Sequence, residues 1–277
     1  MHPYHGATAA LTTKHGKELL IAPAFHALGI NVEPVDFDTD SLGTFTGEIE
    51  RVGNARDVVV KKALIGAKIS SLRYAIASEG SYGPDAQMPL LNSGVELLAW
   101  VDTENGHTVV ESIRTFEIQA HRKTLIAGEN IADYLDAFAF PSHALIVKGG
   151  TQREPLIFRG LQDIRELEDA IVTCRRASQE VMIENDLRAH LNPTRQKAIN
   201  ELSNKLVDRL SRLCTRCGLP GWGVIDISRG AECSECGTLN PDYPSGEILG
   251  CLSCGARELD VGKIKTIDAA QCLLCNP

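Results

Sequence analysis

The stretch from residue 38 to residue 51 holds a dense group of reactive side chains. Its sequence, DTDSLGTFTGEIER, combines two aspartates, two glutamates and four hydroxyl residues with two glycines. Carboxylates bind hard cations such as Mg²⁺, and a loop between a strand and a helix is a common place for catalytic residues. The stretch is therefore a candidate catalytic loop. The alternative is that Thr46 caps a helix whose first turn carries Glu48 and Glu50.

A second acidic loop follows the strand predicted at residues 74–78. There Glu79 is followed by Gly-Ser-Tyr-Gly-Pro, which ends the strand and suits a site loop. Together with Glu48, Glu79 would supply the pair of carboxylates that a magnesium ion and a phosphate substrate require. The alternative for Glu79 is a solvated residue in a turn.

The first predicted strand, residues 7–13, leads into the sequence Thr12-Thr-Lys-His-Gly-Lys17. Hydroxyl groups, a glycine backbone and the ammonium groups of Lys14 and Lys17 would then lie at one edge of a sheet, where they could bind phosphate. A solvated turn with two surface lysines is the alternative. Because proline is tolerated only in a first helical turn, Pro23 predicts that the next helix begins near Ala22.

Periodicity predicts the elements that position these residues. A short strand is expected at residues 31–35, and apolar residues three and four positions apart predict one helix after the acidic loop. Those residues are Ile49, Val52, Ala55, Val59 and Ala63. Residues 95–101 and 108–118 are predicted to form a hairpin around Asn105-Gly106.

Further along the chain, a short helix with Ile131, Leu135 and Phe138 precedes a strand at residues 143–147. Mixed connections of this kind predict an α/β fold, with a mixed sheet flanked by helices. A helix at residues 160–175, a strand at 180–183 and a long helix starting at Asn192-Pro193 are expected next. We therefore divide the chain into an α/β domain (1–150), a mainly helical connection (151–212) and a cysteine-rich module (213–277).

The polar segment 186–195 comes just before the long helix. Its arginines could supply cations to an anionic site, but a solvated loop followed by a helix start is favoured.

Eight of the nine cysteines form Cys-x-x-Cys pairs in the last quarter of the chain. The pairs are Cys214/Cys217, Cys233/Cys236, Cys251/Cys254 and Cys272/Cys275. Without a secretory signal, four such pairs predict two tetrahedral structural zinc sites rather than disulfides. Either consecutive pairs share a zinc ion, or the first joins the third and the second joins the fourth. Gly237 and Gly255, which suit the tight turns of zinc knuckles, favour consecutive pairing.

Composition narrows the choice of partners and location. The chain has 277 residues, 43% of them hydrophobic, and a net charge of -8. It shows neither a membrane-length apolar run nor a signal peptide, so we expect no membrane partner and a cytoplasmic location. From Leu213 onward the chain has five Lys or Arg residues and eight Asp or Glu residues. This negative balance disfavours nucleic acid as a partner.

Four motifs in residues 7–148 resemble the inosine triphosphate pyrophosphatase superfamily, and within it the inosine/xanthosine triphosphatases. They are Thr12-Thr-Lys-His-Gly-Lys17, then Gly43-Thr-Phe-Thr-Gly-Glu48 followed by Arg51-Val-Gly-Asn-Ala-Arg56, and finally Ala75-Ile-Ala-Ser-Glu79-Gly. The full-length arrangement is similar to a bacterial family of unassigned function with a C-terminal double zinc-ribbon-like module.

The resemblance implies magnesium-dependent attack of water between the α and β phosphates of a nucleoside triphosphate, with release of pyrophosphate. Glu48, Glu79 and Asp40 would then serve the metal. Phosphate would be bound by Thr12, Lys14, Lys17, Arg51 and Arg56. A second hypothesis is a non-catalytic nucleotide sensor or adaptor, whose zinc module binds a protein partner. A homodimer is compatible with either hypothesis.

Overall fold

The structure is a computed structural model. It describes residues 1–14, 16–38, 53–85, 87–151, 153–178, 180–260 and 265–277. Its strands are β1 (Thr8–Thr13), β2 (Asn31–Asp36), β3 (Tyr74–Pro84), β4 (Asn92–Asp102), β5 (His107–Thr115), β6 (Arg122–Leu125), β7 (Leu145–Gly150), β8 (Pro155–Leu161), β9 (Val181–Asn185), β10 (Gly223–Glu232), β11 (Leu239–Gly250) and β12 (Arg257–Asp260). Its α-helices are α1 (Glu18–His26), α2 (Ala55–Ser70), α3 (Ile164–Ala177) and α4 (Pro193–Ser211). None of these helices is long and apolar enough to cross a membrane.

The first sheet is mixed and has the strand order β2-β1-β3-β4-β5. β1 runs parallel to both β2 and β3, whereas β3, β4 and β5 form an antiparallel meander. The mixed α/β sheet and the hairpin around Asn105-Gly106 are thus confirmed. The segment Glu79-Gly-Ser-Tyr-Gly-Pro84, expected as a loop after a strand at residues 74–78, instead continues β3 to Pro84 and pairs with β4. The parallel pairing of β3 with β1 ends at Ala77, so the later residues of β3 extend past the end of β1 and lie beside the residues that follow it.

Each face of this sheet is covered by helices. Successive residues of a strand point to opposite faces, so Ala75 and Ala77 pack against α2 while Ile76 packs against α1 and α4. The α1/α4 side carries the larger apolar core, which includes Trp100, Phe25 and the apolar stripe of α4. The helix α4 therefore belongs structurally to the N-terminal sheet, although it lies about a hundred residues further along the chain.

The predicted starts of α1 and α2 are wrong. The helix α1 begins at Glu18 and contains Pro23 in its interior, because Ile21 and Phe25 are fully buried and their packing outweighs the lost backbone hydrogen bond. The helix α2 begins at Ala55 rather than near Ile49. Asn54 caps it by accepting a hydrogen bond from the Asp57 amide, and Gly53 has a left-handed φ of 100°.

The second sheet has the order β6-β9-β7-β8 and is fully antiparallel, with α3 packed against it. The expected helix around Ile131 is a single 3-10 turn, Ile131–Tyr134. The helix expected from residue 160 begins later, because β8 continues to Leu161 and Asp163 caps α3. The hydrogen bonds from β7 to β8 and β9 run across the predicted division at residue 150. That division stays a prediction.

The C-terminal module consists of the antiparallel sheet β10-β11-β12 and the cysteine pairs at the ends of its strands. Its apolar cluster is small and includes two of the cysteines, Cys233 and Cys272, beside Ala231 and Ile267. We expect a module with so little apolar core to depend for its stability on metal ions bound by the cysteines.

The contact between α2 and β1 is so close that a side chain at Gly66 would collide with Thr12. A Cβ added at Gly66 would lie 2.1 Å from Thr12 Oγ1, whose hydroxyl donates to the Lys62 carbonyl at 2.8 Å. We expect Gly66→Ala to lower the free energy of unfolding by about 1 to 3 kcal/mol, although alanine is the better helix former. Denaturant unfolding measures this change.

The control is a double-mutant cycle with Thr12→Ala. If the contact is responsible, the double variant loses clearly less stability than the sum of the two single variants. Strict additivity would show that Gly66 is needed for another reason.

Candidate functional site

Charged side chains gather in the first sheet where β1 ends and β3 continues past it. Lys17 lies at the start of α1, just after β1, and its Nζ donates to Ser78 Oγ at 2.8 Å. Ser78 and Glu79 follow Ala77, the last β3 residue that pairs with β1. We call this region, formed by Lys17, Lys62, Ser78, Glu79 and the ion pair described below, the strand-end site.

On the α2 side of the sheet, Glu79 forms a buried salt bridge with Lys62. Lys62 lies on the inward face of α2, between the buried residues Val59 and Gly66. The same residue therefore holds α2 to β1 through its carbonyl and to β3 through its ammonium group. Buried charges of this kind persist only when they are paired.

On the α1/α4 side, Glu96 of β4 and Arg195 of α4 form a second buried ion pair. Their side chains are only 1% and 2% exposed, and Arg195 Nε lies 2.5 Å from Glu96 Oε1. The Tyr82 hydroxyl donates to the same carboxylate oxygen at 2.6 Å, and the guanidinium lies 5.5 Å from the centre of the Tyr82 ring. Arg195 also donates to the Leu187 carbonyl.

This environment changes the proton affinity of the strand-end groups. Burial, followed by the charge of Arg195, lowers the pKa of Lys17 to about 7, against the opposing effect of the Glu96 carboxylate. Burial and the Glu96 carboxylate raise the pKa of Tyr82 well above its usual range. Burial acts to lower the pKa of Arg195 as well, but Glu96 outweighs it and leaves that pKa raised.

The other predicted site residues are placed as follows. Thr12 is buried with its hydroxyl on α2, Lys14 forms an exposed salt bridge with Asp38 at 2.7 Å, and Arg56 is exposed in the first turn of α2. Asp40, Glu48 and Arg51 lie outside the described residues. The structure thus brings together Lys17 and Glu79 of the predicted set.

Sequence reasoning missed Lys62, Glu96 and Arg195 as members of the site. One signal was available for each of the first two, because Glu96 interrupts the apolar run from Val95 to Val101 and Lys62 falls on the apolar face of a helix. A charge at an inward position requires an opposite charge nearby. Arg195 lies in the segment for which we favoured a solvated loop and helix start; the helix start is confirmed, but Arg195 itself is buried.

The described residues do not form a magnesium site by themselves. Glu79 contacts an ammonium group, and the only groups of three or more potential metal ligands found among the described residues are two clusters of cysteines. Magnesium requires oxygen ligands, so these clusters do not serve it.

The cysteine clusters correct the predicted pairing. Cys214 and Cys217 join Cys251 and Cys254, while Cys233 and Cys236 join Cys272 and Cys275, so the pairs interleave. The reason is the long hairpin β10–β11, which places the second pair at its turn and the first and third pairs at its open end. Ten strand residues span about 33 Å, which is too far for the first and second pairs to share an ion.

Both clusters fit zinc. The Sγ atoms are 3.7 Å apart for Cys214 and Cys254 and 3.9 Å for Cys233 and Cys275. Four thiolates at 2.3 Å from a tetrahedral ion lie about 3.8 Å from one another, whereas a disulfide would need about 2.05 Å. The tight turns expected at Gly237 and Gly255 are present, with left-handed φ values of 71° and 70°.

The first cysteine cluster, Cys214, Cys217, Cys251 and Cys254, is attached directly to the first sheet. His107 of β5 contacts the Pro220 carbonyl through Nε2 at 2.8 Å, and Arg209 near the end of α4 donates to the Gly221 carbonyl at 3.1 Å. Arg209 also forms a salt bridge with Glu111 of β5 at 2.6 Å. The turn that follows Cys217 is therefore held between a sheet edge and a helix end.

Comparison with known proteins assigns a family. The family model described as "Domain of unknown function (DUF6671)" matches residues 62–277. The chain belongs to this family. The matched region includes Lys62, Glu79, Glu96, Arg195 and all eight paired cysteines, whereas Lys17 precedes it.

Among solved structures, the chain is similar to a nucleoside-triphosphatase, dITP/XTP pyrophosphatase, from Mycobacterium abscessus. The likeness has 17% sequence identity and a TM-score of 0.27, and it covers 38% of this chain and 70% of that one. A TM-score of this size carries no argument about function. No curated protein matches the chain.

The interleaved pairing predicts which cysteines lose their metal together. Replacing Cys214 and Cys217 by serine should lower the zinc content from two ions per chain to one and make Cys251 and Cys254 reactive towards an alkylating reagent. Mass spectrometry of the alkylated peptides identifies the reactive residues.

The second cluster provides the control, since Cys233, Cys236, Cys272 and Cys275 should stay protected in the same variant. If Cys233 and Cys236 are alkylated while Cys251 and Cys254 stay protected, consecutive pairs share a zinc ion and the interleaved pairing is wrong.

The lowered pKa of Lys17 predicts a pH-dependent stability. The unfolded chain has the ordinary lysine pKa of 10.5, so between pH 7 and 10.5 it binds more protons than the folded chain, and Lys17 makes stability rise with pH. Below pH 7 Lys17 is protonated in both the folded and the unfolded chain, so the full cost of burying its charge lowers the free energy of unfolding. The free energy of unfolding of Lys17→Met, relative to that of wild type, should therefore be higher at pH 6 than at pH 9.5. Chemical unfolding at both pH values measures this difference. An equal difference at the two pH values would mean that Lys17 has an ordinary pKa.

Proposed function

We propose that the strand-end site binds the phosphate groups of a nucleoside triphosphate or a related phosphorylated nucleotide, and that the chain hydrolyses this ligand. The observation that carries the proposal is the position of Lys17. Lys17 is half-buried just past the end of β1, beside the middle of β3, where the described hydrogen-bond partner of its ammonium group, Ser78 Oγ, is neutral. A phosphate oxygen is the kind of acceptor that such a group binds strongly.

The charge of the site supports an anionic ligand. Three cations, Lys17, Lys62 and Arg195, are present against two carboxylates, Glu79 and Glu96, so the described group carries one excess positive charge when Lys17 is protonated. Burial is the largest cause of the lowered pKa of Lys17, and the charges of Arg195 and Lys62 lower it further against the effects of Glu96 and Glu79. A bound phosphate would compensate the excess positive charge and favour the protonated ammonium group.

Hydrolysis is the reaction that the sequence motifs favour. Water would attack the phosphoanhydride and give a nucleoside monophosphate and pyrophosphate. We propose that Glu79 acts there with Asp40 and Glu48, and that Thr12, Lys14, Arg51 and Arg56 contribute further phosphate contacts. These assignments rest on the sequence.

A second candidate function is binding without hydrolysis, as a nucleotide sensor whose zinc module binds a protein partner. The buried salt bridge between Lys62 and Glu79 favours it, because a carboxylate paired with an ammonium group is a poorer metal ligand. The direct attachment of the first cysteine cluster to the sheet would carry the ligand's effect to that module.

A nucleotide panel with Mg²⁺ tests both candidates. We expect Lys17→Ala to weaken the binding of a nucleoside triphosphate and of pyrophosphate about tenfold or more, since a charged hydrogen bond contributes about 1.5 to 3 kcal/mol, and to leave nucleoside binding unchanged. Titration calorimetry measures the affinities. The matched control is Lys61→Ala, an exposed lysine on α2, which should bind as wild type does.

Turnover decides between the two candidates. Glu79→Gln keeps a hydrogen-bonding partner for Lys62 but removes the carboxylate charge, and it should abolish most of the hydrolysis while the protein still binds. Binding with no hydrolysis of any nucleotide by the wild type would favour the sensor. Unchanged affinity in Lys17→Ala would reject the strand-end site for both functions.

A further inference from the structure

Arg195 occupies a place that local helix energetics disfavour. It lies in the first turn of α4, where Asn192 caps the helix by accepting a hydrogen bond from the Arg195 amide at 3.0 Å. A positive charge near a helix N-terminus opposes the helix dipole, and burial removes its hydration. The stability of α4 therefore does not explain why an arginine occupies this position.

The surrounding residues are shaped around the guanidinium group. A Cβ added at Gly80 would lie 2.7 Å from Arg195 Nη2 and 2.9 Å from Glu96 Oε1, so only glycine leaves room for the ion pair beside β3. Tyr82, two residues further on the same face, donates to Glu96 and lies against the guanidinium. Ser78, Gly80 and Tyr82 share this face of β3, and Ser78 holds Lys17.

We infer that Arg195 is a positioning residue of the strand-end site: held by Glu96 and the Leu187 carbonyl, it fixes the β3 face that carries Ser78 and places a buried positive charge beside Lys17. It does not contact the ligand, because its side chain is 2% exposed. The inference rests on the proposed function and deepens it. The C-terminal half of the chain would thus complete a phosphate site whose lysine lies near the N-terminus.

The inference has an electrostatic consequence that a purely structural role lacks. After burial, the charge of Arg195 is the strongest influence on the pKa of Lys17 and lowers it, whereas Glu96 raises it less. Replacing both members of the pair by neutral residues should therefore make Lys17 harder to deprotonate, and replacing Arg195 by lysine should not.

The test compares the double variant Glu96→Gln/Arg195→Met with Arg195→Lys. The double variant avoids an uncompensated buried charge and so protects the fold. The midpoint of Lys17 deprotonation is read from the pH dependence of its acylation in the ligand-free protein, and pyrophosphate affinity is measured separately. The control is Arg122→Met, which removes a partner of Glu184 in the second sheet.

For the double variant we expect a higher Lys17 midpoint and an affinity for pyrophosphate that falls at least fivefold. Arg195→Lys and Arg122→Met should keep the wild-type midpoint and affinity. A wild-type midpoint or a wild-type affinity in the double variant overturns the inference. If Lys17→Ala itself binds pyrophosphate normally, the proposed function fails instead, and the midpoint still shows whether Arg195 acts on Lys17.

Discussion

The buried ion pair between Glu96 and Arg195 constrains much of the structure. Its two residues are 99 positions apart in the chain and belong to different segments, yet neither charge can be left alone in the core. Losing one partner of a buried pair costs about 3 to 5 kcal/mol. The second sheet lies between these two residues in the sequence, and its last strand, β9, ends at Asn185. The position of Asn185 must therefore allow α4 to pack on the first sheet.

The helix α4 connects this ion pair to the cysteine-rich module. Arg195 and Arg209 are fourteen residues apart, which is about 21 Å along one rigid helix. One end meets the strand-end site, and the other donates to the turn after Cys217 and pairs with Glu111. The apolar stripe between them, including Ile199, Leu202 and Leu206, covers the core of the first sheet. The N-terminal sheet and the first cysteine cluster thus share a structural element.

Local patterns in the sequence were sufficient for much of the fold. Alternation and the Asn105-Gly106 turn located β4 and β5, and the Asn192-Pro193 cap located the start of α4. Both predictions depend on residues close together in the chain. The start of α1 was missed because the burial of Phe25 outweighs the local preference of Pro23.

Non-local features were beyond the same reasoning. The spacing of the cysteines is compatible with two pairings, and the choice depends on how β10 and β11 align over their full length. Likewise, the inward positions of Lys62 and Glu96 indicate that each has a partner of opposite charge, but they do not identify it. The partner of Glu96 comes from a helix about a hundred residues away. Motif reasoning named Lys17 and Glu79 as candidates but not Lys62, Glu96 and Arg195, the charged residues near them in the structure.

The distribution of charge also bears on the size of the ligand that we propose for the strand-end site. The chain as a whole carries a net charge of -8, yet three cations lie with two carboxylates near the end of β1. Two of these cations are buried in ion pairs, and Lys17 is half-buried beside Ser78. A nucleic-acid backbone is bound by exposed basic faces that its phosphates can reach in succession. A half-buried lysine supported by buried charges, within an otherwise acidic protein, fits the small phosphorylated ligand proposed above better than a nucleic-acid backbone.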